Sequence, residues 1–214
     1  MAAITLDSLD LAALLCSKVC HDVISPVGAI VNGLELLDEE RDPEMRNEAL
    51  KLVQRSAKTA SAKLQFCRLA FGAAGSAGAS IDTGDAEQVA RNLLADDRTK
   101  LEWNAVRMLL PKNKVKLVLN MCLIAAACVP RGGVIKVTIT GGESDAALRV
   151  ESIGPNLRLA SGVPELLRGE PESGSVDAHG IQAYYTGLVA RACGVDLTID
   201  AGAEAVTIVA APAG

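Results

Sequence analysis

From Leu9 onward, apolar residues recur at spacings of three and four without a miss: Leu9, Ala12, Cys16, Val19, Val23, Val27, Ile30, Leu34 and Leu37. That period is the apolar face of an α-helix. At 3.6 residues per turn the stripe runs for about eight turns. Thr5, Asp7 and Ser8 are available N-caps, and the pattern ends in the charged stretch DEERD. Asp42-Pro43 then offers a new cap followed by proline at the first helical position. A second stripe follows through Met45, Ala49, Leu52, Ala57, Ala60, Leu64, Cys67 and Phe71. The connection is short, so the helices should lie antiparallel as a hairpin. Two helices alone cannot enclose stripes of this length. Pairing two hairpins about a two-fold axis would do so, and the expectation is a homodimeric four-helix bundle.

After the small-residue stretch GAAGSAGAS, Gly72 to Ser80, the rhythm changes. Its composition is that of a flexible hinge. Helical patterns over Asp85 to Asp97, Lys112 to Val129 and Ala178 to Cys193 alternate with strand patterns over Lys100 to Val106, Val134 to Thr140 and Ala147 to Ile153. Two last strands are expected near Leu197 and Val206, and a loop over Pro155 to Ser175. The fold class read from this order is α+β: a hairpin over residues 1–74, a linker over 75–84, and an α/β sandwich over 85–214 with helices on one face of a mixed sheet.

Half of the 214 residues are hydrophobic, enough for a sizeable core, but only 2% are aromatic, so Ala, Leu and Val must do the packing. The net charge of −5 comes without a Lys/Arg cluster, which argues against nucleic acid as a partner. The start lacks a basic leader pattern, and the apolar run from Met121 to Val129 is too short to cross a bilayer, so a cytoplasmic protein is expected. Six cysteines without a secretory signal read as reduced thiols. Cys16 and Cys20, four apart, could share a helix face with a metal ion; with two histidines in the chain they read instead as small buried hydrophobes.

The first helix contains an interruption. Pro26 removes a backbone hydrogen bond at a cost of roughly 3 kcal/mol, five residues beyond His21-Asp22. His21 is about 200° around the helix from Val19 and from Val23, so it faces outward. Its surroundings on that side are Ser17, Lys18, Ser25, Gly28 and Asn32, with Ile24 the one bulky apolar neighbour. An open imidazole among small side chains suits a phosphoryl acceptor approached by another protein. A neutral ring nitrogen attacks while an acid such as Asp22 fixes the tautomer or takes the proton. The bland alternative is a surface histidine without a role. Because proline lacks N–H, the Asp22 carbonyl loses its helical donor, and the helix is expected to be loosened there.

The stretch His21-Asp22-Val23-Ile24-Ser25-Pro26 resembles the H-box of histidine-kinase dimerisation and phosphotransfer domains. The second half resembles the ATP-binding (Bergerat-type) domain of those kinases in degenerate form, and the whole chain is similar to the dimeric histidine phosphotransferases of bacterial cell-cycle phosphorelays. In LVLNMCLIAAA, Asn120 matches the first asparagine of the kinase N-box, but Ile124 stands at the second and cannot ligate a hard cation. Glu151, Ser152 and a single Gly154 replace the adenine-binding aspartate and glycines, and only Gly180, beside His179, remains of the second glycine box.

The resemblance therefore implies a protein phosphotransferase that does not use ATP. His21 would be the phosphoacceptor and Asp22 its acid/base or tautomer partner. Ser17, Lys18, Ser25, Gly28 and Asn32 would form the docking strip, with Lys18 attracting the acidic receiver pocket. The donor would be the receiver domain of a CckA-like hybrid histidine kinase, and the acceptors CtrA-like and CpdR-like response regulators. No metal or cofactor is expected on this chain, the receiver supplying Mg²⁺. Two other readings stay open: a divergent ATP-dependent kinase and a non-catalytic dimeric adaptor. His179 reads as structural or as a second titrating group. Lys112, Lys114 and Lys116 read as a solvated face or as a steering patch.

Overall fold

The computed structural model describes residues 4–72 and 79–212. Helix α1, Ser8–Glu39, and helix α2, Pro43–Ala70, form an antiparallel hairpin. Asp7 caps α1 by accepting from the Leu9 and Asp10 amides, and these two bonds lower its pKa. Asp42 caps α2 through the Glu44 amide, with Pro43 at the first helical position. Arg46 closes the turn, donating to the carbonyls of Leu37 and Glu40.

The seam between the helices follows the expected stripes only in part: Ala49 and Ala60 of the α2 stripe line it, whereas the fully buried α1 residues are not in the α1 stripe. The α1 residues buried in it are Pro26 and Gly33, against Ala49, Ser56 and Ala60 of α2. A Cβ on Gly33 would lie 2.6 Å from Val53 Cγ2, so absent side-chain volume sets the approach. Small residues let two backbones close up; of the α1 stripe Leu9, Cys16, Val27 and Leu34 are exposed, while Val19, Val23, Ile30 and Leu37 are half-buried. In the single chain Leu34 is 49% and Leu64 50% exposed, with Val27, Val31 and Leu50 also uncovered. Cys16 and Cys20 are exposed too, contrary to the expectation that they are buried.

The second unit has a five-stranded sheet in the order β2-β4-β5-β7-β6, from strands Thr99–Asn104 (β2), Gly133–Thr140 (β4), Ala147–Ile153 (β5), Val195–Ala201 (β6) and Val206–Pro212 (β7). β2 and β4 are parallel and the other neighbours antiparallel. Helices α3 (Thr83–Leu94), α4 (Lys112–Cys128) and α6 (Ile181–Ala192) share one core with the sheet. Burial alternates along β4 and β5, and their other face carries Lys136, Thr138, Arg149 and Glu151. This is the expected sandwich. Three short elements were not anticipated: β1 (Ser80–Asp82) paired with β3 (Leu109–Pro111), and α5 (Val163–Arg168) inside the expected loop. Three-residue strands and a six-residue helix are below the length at which periodicity speaks. Of the expected linker, residues 75–78 lie outside the described residues, Ser80–Asp82 pair as a strand and α3 begins at Thr83.

The hairpin is joined to the second unit at both ends. Phe66, Leu69 and Ala70 of α2 belong to the core of the sheet domain, and the Phe71 and Tyr185 rings lie 5.6 Å apart. At the other end the Tyr184 hydroxyl donates to Ile4 O at 3.0 Å and accepts from Leu6 N at 3.1 Å, while Leu11, Leu14 and Leu15 pack around Tyr184 and Ile181. The α5–α6 contact is tight: a Cβ on Gly187 would stand 1.9 Å from Leu167 O. Since backbone rather than a flexible side chain obstructs it, Gly187→Ala is expected to cost about 3 kcal/mol or more, lowering the melting temperature by about 10 °C. A thermal melt followed by circular dichroism measures this.

By length and mean hydropathy α1 is the one helix among the described residues apolar enough to cross a membrane, which the sequence reading did not foresee. Within its span lie Lys18, His21, Asp22 and Pro26, and it packs along α2.

Candidate functional site

His21 stands near the middle of α1 with its side chain 84% exposed. Its Nδ1 is 3.7 Å from Asp22 Oδ1. That is beyond a hydrogen bond but within reach of a small rotation. An Nδ1–H directed at this carboxylate leaves Nε2 with the free lone pair, turned toward solvent. Asp22 Oδ2 accepts from Lys18 Nζ at 2.8 Å. Lys18 is thus engaged by Asp22, and the ion pair holds the carboxylate beside the ring.

The other strip residues fall where the helix geometry places them. Ser17, Ser25 and Asn32 are exposed, and Gly28 has open space where a Cβ would be, with nothing within 4 Å. Ile24 is 70% exposed next to them. The surface around His21 is accordingly low and open.

Sequence reasoning missed Lys63. From α2 its Nζ donates at 2.6 Å to the carbonyl of Asp22, the group that Pro26 deprives of a helical donor. Helix α1 continues through this point as one element from Ser8 to Glu39, so the expected loosening is not observed. Between this corner and α3 is a cavity of about 230 Å³ lined by Asp22, Lys63, Phe66, Cys67, Leu93 and Leu94 among others. Burial and then the Asp22 charge raise the Cys67 thiol above its ordinary pKa. Burial alone pushes Cys122 up to about 12.

The positions that the resemblance sets against the kinase nucleotide site are engaged within the fold, Glu151 by an ion pair and the others in or beside the core. Asn120 is fully buried; its Nδ2 donates to Ala70 O (3.0 Å) and Lys116 O (2.8 Å), and its Oδ1 accepts from Gln182 Nε2 (2.6 Å). Ile124 is in the core. Ser152 Oγ donates to Ala125 O at 2.8 Å, and Glu151 pairs with Arg149, which lowers its pKa. Gly154 lies where a Cβ would meet Gly132 O at 2.8 Å. His179 is exposed at the rim of a cavity of about 500 Å³, with its amide bonded to Asp177 Oδ1. Lys114 is neither a solvated nor a steering charge: it is buried and donates to Glu143 O and Ser144 O. Among the described residues no three His, Cys, Asp or Glu side chains form a set that could hold a metal.

A solvent-facing histidine beside an acid, on a helical hairpin fused to an α/β sandwich, defines a protein of the phosphotransfer class. Comparison with known proteins specifies the family. Residues 83–205 match the model of the histidine phosphotransferase C-terminal domain. The chain is 49% identical over 201 residues, 94% of its own length and 95% of the other's, to the protein phosphotransferase ChpT of Brucella abortus (strain 2308). It superposes with a TM-score of 0.89 and 45% identity, over 98% of this chain and all of the other, on a solved structure described as a bacterial phosphotransferase. The chain belongs to the histidine phosphotransferase family, whose members are phosphotransfer enzymes.

Proposed function

We propose that His21 is the phosphoacceptor of a phosphorelay. It takes a phosphoryl group from the aspartate of a receiver domain in a CckA-like hybrid histidine kinase and passes it to the aspartates of CtrA-like and CpdR-like response regulators. The observation that carries this reading is the 84% exposure of His21 on a strip of small residues, with an Asp22 carboxylate oxygen 3.7 Å from its Nδ1. In the first transfer Nε2 attacks phosphorus, the phosphorus–oxygen bond to the donor aspartate breaks, and the carboxylate leaves. In the second, the acceptor aspartate attacks and the imidazole leaves. Asp22 holds the Nδ1 proton throughout, and the Mg²⁺ that neutralises phosphoryl charge belongs to the receiver.

ATP has no part in this scheme. The internal bonds of Asn120 and the burial of Ile124 support that reading, because a nucleotide would have to displace contacts that build the core. The cytoplasm, where such receivers act, is the proposed location. A test combines the protein in separate reactions with a ³²P-charged receiver domain and with labelled ATP plus Mg²⁺. Label mapping to His21 from the receiver alone supports the carrier. Label from ATP alone would make the protein a kinase, and loss of receiver phosphate without any labelled carrier would make it an adaptor.

The working unit is a homodimer, on the ground that Val27, Val31, Leu34, Leu50 and Leu64 form an uncovered apolar face along both helices. A second hairpin packed on that face completes a four-helix bundle. Light scattering at micromolar concentration should give about twice the 22.2 kDa chain mass, falling to one chain mass when Leu34→Glu and Leu64→Glu are combined. A single-chain mass for the wild type would refute it.

A further inference from the structure

The Asp22 carbonyl has an unusual partner. In an uninterrupted helix it would accept from the amide of residue 26, which is proline. The replacement donor comes from another helix, 41 positions along the chain: Lys63 Nζ, at 2.6 Å. Lys63 is partly buried against a cavity walled by Phe66, Leu93 and Leu94, where a charge-assisted bond is less weakened by water than on an open surface. The same residue, Asp22, is held through its carboxylate by Lys18. Asp22 is therefore fastened at both main chain and side chain, and His21 is bonded directly to that anchored residue.

We propose that Pro26 and Lys63 act as one positioning unit. The proline deletes the helix's own donor so that a cation from α2 takes the carbonyl, locking the register of the two helices at the level of His21. Lys63 touches neither the ring nor, in this account, the incoming receiver; it acts through the Asp22 peptide. The inference rests on the reading that His21 is the phosphoacceptor.

The unit makes a prediction that an ordinary surface cation does not. In Pro26→Ala the helix regains its own amide donor, and the Asp22 carbonyl no longer depends on Lys63. Transfer from a receiver domain charged with acetyl phosphate should be timed at saturating receiver for the wild type, Lys63→Met, Pro26→Ala and the double variant. Lys63→Met is expected to slow the transfer about tenfold, with little change in the receiver concentration giving half-maximal rate. In the Pro26→Ala background the same substitution should change the rate by less than about twofold, a non-additivity that reports coupling. Lys63→Arg, which keeps a cationic donor, should restore most of the rate and serves if Lys63→Met does not fold.

Equal losses in the two backgrounds, or a loss confined to the half-maximal concentration, would overturn the unit and make Lys63 a docking residue. Lys63→Arg as slow as Lys63→Met would also overturn it. Phosphate mapping to a residue other than His21 would instead sink the underlying reading, whatever the cycle shows.

Discussion

Replacing His21 with glutamine is expected to reduce acceptance of phosphate from a charged receiver domain to the uncatalysed background. Glutamine keeps a polar side chain of similar reach but has no lone pair able to form a phosphoramidate. The fold should not notice. With 84% of the side chain in solvent, little packing is lost, and the change in stability should stay within about 0.5 kcal/mol. The measurement is a time course of receiver dephosphorylation and carrier labelling. Acid-labile, alkali-stable phosphate on the wild type and none on the variant is the expected pair of results. Label of unchanged amount on His21→Gln would place the acceptor elsewhere.

Gly28→Leu should produce the second-largest effect, and in opposite directions for folding and function. A Cβ at this position meets nothing within 4 Å, so a side chain can start here without a clash. Replacing glycine inside a helix should stabilise it by about 0.8 kcal/mol. Yet the leucine rises from the open strip two turns beyond His21, where a docked receiver must lie close to α1. Displacing that domain by an ångström or two removes in-line attack, and a transfer rate about a hundredfold lower is expected. A melting curve run beside the transfer assay separates the two effects: a higher melting temperature with slow transfer supports a docking role for the strip. Unchanged transfer would remove Gly28 from the interface.

Much of the architecture was legible because its signals are local. Asp42-Pro43 is a cap and a first-turn proline side by side in sequence, and the structure uses it as both. The outward direction of His21 follows from about 100° per residue along a single helix. Other features were illegible because they depend on groups far apart in the chain. Nothing in a sequence window connects Lys63 to the carbonyl of Asp22, or Asn120 to Ala70 and Gln182. Lys114 read as a surface charge because its burial depends on the β4–β5 loop folding over it, where Glu143 and Ser144 offer carbonyls.

The long apolar stripe shows the division most clearly. Its period determined that residues 8–39 would be a helix with one adhesive side, since helical periodicity is a property of the chain alone. Which side would meet α2 was decided by tertiary packing. Two helix backbones approach most closely where side-chain volume is least, so Pro26 and Gly33 took the seam and Leu34 stayed outside. The same step decided the fate of the proline. By itself the sequence determined that Asp22 would lose a hydrogen bond; only the packing of α2 against α1 placed a lysine there to supply another.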